Sequence, residues 1–120
     1  MTLAMATMEA DEILPNAYTE EQKAGWISEL DGKICAEVLK TPNAAPIAYR
    51  PEDGADRVLL VPFPYDNIYC LYLCAMIDYY NQEWESYENA MLMFRSAYGE
   101  YVRAYRRAHV PQDARYKNIM

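Results

Sequence analysis

Two cysteines four residues apart, Cys70 and Cys74, are the side chains of this sequence best spaced to do chemistry. On a helix that spacing puts both thiols on one face, which is half of a site for a soft metal. The other half is missing: Cys35 stands alone, the single histidine, His109, sits in a basic stretch, and there is no C-x-x-C. Free cysteine packs as a small hydrophobe, so burial is expected and a metal is not. Asp78, Glu83, Glu85 and Glu88 form the second candidate, a carboxylate cluster. In four-helix di-metal proteins such acids come with Glu-x-x-His pairs, which one histidine cannot supply, so a solvated face is expected. His109, among arginines, reads as a surface residue. No phosphate loop, dinucleotide fingerprint, nucleophile elbow or zinc-protease motif occurs, so no catalytic residue is assigned and neither cofactor nor enzymatic activity is expected.

The elements that would position any site must fit in 120 residues, the usual size of one domain. A net charge of −7 argues against a generic nucleic-acid binder, whose affinity rests on neutralising phosphates. The charge is polarised: residues 103–117 carry five cations against Asp113, a local +4 that leaves −11 on residues 1–102. The apolar run 68–77 ends at Asp78, far short of the roughly 20 residues of a membrane span. The first residues lack a basic signal-peptide region and turn acidic by Glu9, so a cytoplasmic protein is expected.

Tyrosine spacing carries most of the fold information. Nine of the twelve tyrosines fall between Tyr65 and Tyr105. Trp84, Tyr87, Met91, Phe94, Tyr98, Tyr101 and Tyr105 alternate spacings of three and four, the seam of a helix lying along another helix. Tyr65, Tyr69, Tyr72, Met76 and Tyr79 repeat that pattern, while Ile68, Leu71, Leu73 and Ile77 make the other faces apolar too, so this helix must be covered on several sides. Residues 81–83 suit a tight connection, giving a hairpin of residues 65–80 and 83–109. Its second arm, about 40 Å long, exceeds what a globule of this length covers, and its far end is expected to project.

Upstream, Thr19-Glu20-Glu21-Gln22 reads as a capping box opening a helix with Ile27, Leu30, Ile34 and Val38 on its buried face and an end near Lys40, before Thr41-Pro42. Residues 2–13 read as a shorter helix stopped by Pro15-Asn16. Between 41 and 64 five prolines exclude a helix, and 47–49 and 57–61 read as short extended segments, a small β-hairpin or lone strand. The expected fold is mainly α, a small bundle of three to four helices over residues 1–110 with a long C-terminal helical hairpin, a short β-hairpin or strand in the 41–64 connection, and a basic tail over 111–120.

Residues 61–107 resemble the small structural proteins encoded in head-to-tail morphogenesis clusters of tailed phages and Firmicutes prophages. The matching features are Pro64-Tyr65-Asp66 leading into a tyrosine-rich helix, Ile77-Asp78, Asn81-Gln82-Glu83, Tyr87-Glu88-Asn89 and Tyr105-Arg106-Arg107, with Pro15-Asn16, Lys23, Trp26 and 29–33 upstream. The resemblance implies a head–tail connector: a virion structural protein forming a ring under the portal, with itself and the portal or neighbouring head–tail proteins as partners. DNA would pass without sequence-specific contact, and the protein would act in the host cytoplasm during assembly and then in the virion. Tyrosine suits such interfaces, supplying large contact area with a hydroxyl for rim hydrogen bonds. The expected subunit or portal interface is Tyr98, Tyr101 and Tyr105 with Arg103, Arg106, Arg107, Arg115 and Lys117, the cations docking on an acidic neighbour. The alternative is a bacterial helical interaction module, a regulator or chaperone whose Tyr/Met-rich groove receives a partner helix.

Overall fold

Four α-helices form along the chain: α1 (Leu3–Ile13), α2 (Glu20–Ile34), α3 (Ile68–Tyr80) and α4 (Trp84–Ala108). The computed structural model describes residues 1–41 and 45–109. α1 begins at Thr2, whose hydroxyl accepts the Met5 N–H, and stops before Pro15. α2 opens on the expected capping box: Thr19 Oγ1 accepts the Gln22 N–H and Gln22 Oε1 accepts the Thr19 N–H. It widens into one π-helical turn, Cys35–Leu39, and closes with Lys40 in the left-handed region at φ 50°, where the Lys40 and Thr41 N–H groups turn back to the Cys35 carbonyl. α3 and α4 meet through Asn81, Gln82 and Glu83, with Gln82 at φ 60° and the Glu83 N–H donating to the Asp78 carbonyl. The tight hairpin read from the spacing is therefore present.

α3 is the central element, with α1, α2 and α4 around it. Ile68, Tyr69, Leu73, Ala75 and Ile77 are all buried, on faces that no single neighbour could cover. Each large apolar side chain so buried contributes about 1.5–3 kcal/mol, which is why an all-round apolar helix recruits three partners. α1 supplies Leu3, Ala6 and Ala10, small enough for close approach; α2 supplies Ile27, Leu30, Ile34 and Val38, the face its periodicity indicates. Trp26 stacks on Tyr80 at 5.3 Å and Leu39 lines a groove with Tyr105, so α2 runs antiparallel to α3 and parallel to α4.

α4 buries only Phe94 and Tyr101, and the described residues span 57 × 32 × 22 Å. Its far end is covered on one side as far as Tyr105, while Arg106, Arg107, Ala108 and His109 are exposed. Leu39, Leu60, Pro62 and Tyr65 reach that far and receive Tyr101 and Tyr105.

The connection between α2 and α3 corrects the sequence reading: among the described residues it contains neither a hairpin nor a strand, only a 3-10 turn (Pro51–Asp53) and one isolated antiparallel bridge between Thr2 and Val58. The segments are extended, but helix side chains and the N-terminal backbone satisfy them. The Tyr49 N–H donates to Ser28 Oγ, the Leu60 N–H to Asp31 Oδ2, and the Val61 N–H to the Tyr69 hydroxyl. Leu59 donates to the Met1 carbonyl, and Leu3 and Ala4 donate to those of Arg57 and Gly54. Gly54 suits the close approach here, for a Cβ would lie 3.0 Å from the Pro51 carbonyl oxygen and 3.5 Å from Ala4. With these partners in place, a strand has no ladder left to complete.

Candidate functional site

The carboxylates that the sequence places near the hairpin turn do not converge on a site. Asp78 is buried, and its carboxyl titrates above the ordinary range through burial and then through the charge of Glu83. Glu83, Glu85 and Glu88 face outward. Among the described residues no group of three or more His, Cys, Asp or Glu side chains could hold a metal ion. Cys70 is buried and Cys74 half-buried beside it; the pairing lowers the Cys70 thiol, while the same pairing and burial raise Cys74. Both pack α3 against its neighbours. No described helix is long and apolar enough to cross a membrane.

The hairpin end is instead an aromatic tip. Tyr18 and Trp26 meet at 5.5 Å, Trp26 stacks on Tyr80 with planes 8° apart, Tyr80 meets Tyr79 edge-on, and Tyr79 touches both Trp84 and Tyr87. The Tyr18 hydroxyl donates to Asn81 Oδ1 at 2.7 Å, tying α2's leading loop to the turn. These rings support one another, yet Tyr79, Tyr80 and Trp84 remain exposed, Trp84 by 54%. Beside them in the chain Glu83, Glu85 and Glu88 are exposed.

The opposite end is basic. Leu39, Leu60, Pro62, Tyr65, Tyr101 and Tyr105 line an almost wholly apolar groove of about 340 Å³. His109 closes the row by stacking on Tyr105 at 3.9 Å. Lys40 and Arg106, with Glu37, line the adjoining depression, and Arg103 and Arg107 are exposed on the same stretch of α4. Lys40, Arg106 and Arg107 lie at the carboxyl ends of α2 and α4, where the helix dipole favours cations.

The expected interface residues thus divide. Arg103, Arg106 and Arg107 are exposed, Tyr98 and Tyr105 are half-buried, and Arg115 and Lys117 lie outside the described residues. Tyr101 is only 4% exposed and anchors α4 to the core through Tyr65, rather than facing a neighbour. The Tyr98 hydroxyl is shut from solvent and makes no hydrogen bond of good geometry; burial, then the charge of the Glu37 carboxylate and a loose hydrogen bond towards it, hold its proton on above the ordinary phenol range. Tyr98 also lines a second groove of about 340 Å³ between α2 and α4, walled by Tyr72, Met76, Tyr87, Met91 and Phe94.

Sequence reasoning missed the main polar centre. Asp31 is fully buried, its carboxylate accepting from the Tyr69 hydroxyl at 2.6 Å, the Tyr49 hydroxyl at 2.5 Å and the Leu60 N–H at 3.2 Å. Burial raises its carboxyl above the ordinary range, against the lowering effect of those donors. The signal was available: Asp31 follows Ile27 by four and precedes Ile34 by three, a carboxylate on the apolar stripe of α2. A partly buried ion pair, Lys23 inside with Asp11 at 2.7 Å nearer the surface, fixes α1 to α2. Both arrangements are saturated by their own partners and hold helices together.

Comparison of the chain with family models, curated proteins and solved structures finds no match.

Proposed function

We propose that this protein is a non-enzymatic structural adaptor that assembles as a ring beneath the portal, a head–tail connector of a tailed phage or prophage. One arrangement carries the reading: exposed aromatic rings among acids at one end of a rigid helical body, and an apolar groove flanked by cations at the other. Opposite, complementary ends favour heterologous contacts, which close into rings when the rotation per subunit allows. The phage-like motifs of residues 61–107 supply the biological setting. The test is absolute mass by light scattering over a concentration series at low and high salt, alone and with a portal protein. The reading expects a ring-sized mass or a stable portal complex, and a chain that forms neither refutes it.

A second reading, a module that binds a partner helix, draws support from the groove between α2 and α4, whose Tyr and Met walls suit an amphipathic helix. It expects a single chain at all concentrations that captures a peptide helix in that groove.

A further inference from the structure

The two ends of the molecule fit each other, though not within one chain. Trp84 opens α4 and Ala108 closes it, so 24 steps of helix, about 36 Å, separate the tip from the groove. No fold of a single copy brings them together. Between two copies the match is chemical as well as spatial. The tip offers Trp84, Tyr79 and Tyr80, large, exposed and already held by neighbouring rings, so little side-chain freedom remains to be lost on docking. The groove offers apolar walls from α4 and the 59–65 segment, at the small end of the volume range of binding pockets, enough for a large side chain. The flanks are charged in opposite senses: Glu83, Glu85 and Glu88 at the tip, Lys40, Arg106 and Arg107 at the groove, where the acids include Glu37, Glu100 and Asp66, the last paired with the N-terminal amine at 3.4 Å.

We propose that the acidic aromatic tip of one copy docks into the basic-flanked groove of the next, with Trp84 against Tyr105 and Ala108 and with Glu85 and Glu88 facing Arg106 and Arg107. This deepens the adaptor reading and rests on it, since it assigns the subunit–subunit contact of the ring to named surfaces. Arginine over the exposed rings adds cation–π attraction as the contact desolvates. The charge pairs steer encounter and set the head-to-tail sense, and the buried rings hold the complex.

The test is a charge swap read by light scattering. Glu85, Glu88, Arg106 and Arg107 are exposed and none makes an ion pair among the described residues, so reversing them should leave the fold, checked by circular dichroism, intact. One variant carries Glu85→Lys and Glu88→Lys; the other carries Arg106→Glu and Arg107→Glu. The wild type is expected to associate with rising concentration, each variant alone to remain a single chain, and their equimolar mixture to associate again. Trp84→Ala should weaken wild-type association roughly tenfold or more. If the wild type associates but reversal has no effect, or the mixture fails to restore association, the docking assignment is overturned while the ring survives on another surface. A wild type that stays a single chain at every concentration also overturns the assignment, and the adaptor reading is then decided by portal binding.

Discussion

Asp31 on α2 and Tyr69 on α3, 38 positions apart in the chain, share a 2.6 Å hydrogen bond at a point that solvent does not reach. The Tyr69 hydroxyl also accepts the Val61 N–H, so one phenol links the two helices to the extended segment that precedes α3. Tyr49 and Leu60 complete the ring of donors, and Arg57 lies over the Tyr49 ring at 5.3 Å. This node replaces the missing sheet: it tells a proline-rich segment where to lie against the bundle, and that segment then forms one wall of the basic-end groove.

Removing the acceptor should therefore cost more than an ordinary side-chain deletion. Asp31→Ala strands two phenolic O–H groups and one backbone N–H, at about 1–3 kcal/mol for each donor left unpaired, partly offset by relief of the buried charge. A net loss of about 3 kcal/mol is expected, read as a shift in the urea midpoint. Tyr69→Phe removes one donor and the Val61 acceptor, and about 1–3 kcal/mol should be lost. Midpoints unchanged in both variants would mean that the node contributes nothing.

The same carboxylate gives the protein a pH slope. Burial outweighs the three donors and sets the Asp31 carboxyl above its ordinary 3.8, so the native state keeps that proton to higher pH than the unfolded chain does. Its contribution is whole below the ordinary value and is lost as pH rises through the native one. Asp78 is raised too, by burial and then by Glu83, so both losses run in the same direction. Thermal midpoints should decline as pH rises above the ordinary carboxylate range, and Asp31→Asn should flatten the decline. A slope of equal size in Asp31→Asn would assign it elsewhere.

What could be read from the sequence follows from the kind of signal each element carries. Helix periodicity is local, so the α3–α4 hairpin, the Thr19 cap and the α2 stripe through Val38 were legible residue by residue. The extended segments were legible as extended, but not their partners: Ser28, Asp31 and Tyr69 lie far away in the chain, and side-chain acceptors leave no alternating pattern. The expected interface tyrosines separate for the same reason. Tyr101 and Tyr105 share a helical seam and look equivalent in sequence, yet Tyr65 and the core cover Tyr101. The tip was read as separate acids and tyrosines because its rings come from three separate stretches of chain.

The cap of α2 can be tested by itself. Thr19 Oγ1 satisfies the Gln22 N–H and Gln22 returns the favour to the Thr19 backbone, while Glu20 and Glu21 sit in the first turn where the dipole favours acids. Thr19→Ala should lower stability by about 1 kcal/mol, and Thr19→Ser should restore most of it. Chemical denaturation of the three proteins measures both; equal loss in the serine variant would point to the threonine methyl instead.

Two buried tyrosine hydroxyls should respond oppositely to the same deletion. That of Tyr69 donates to Asp31 and accepts from Val61, whereas that of Tyr98 is equally hidden from water and has only the Glu37 carboxylate within loose reach, with no hydrogen bond of good geometry. An unpaired buried hydroxyl carries its desolvation penalty without return. Tyr98→Phe should therefore be neutral or stabilising by up to about 1 kcal/mol, while Tyr69→Phe is destabilising. Loss of stability in Tyr98→Phe, relieved when Glu37 is also changed to Gln, would reveal a working hydrogen bond to that carboxylate.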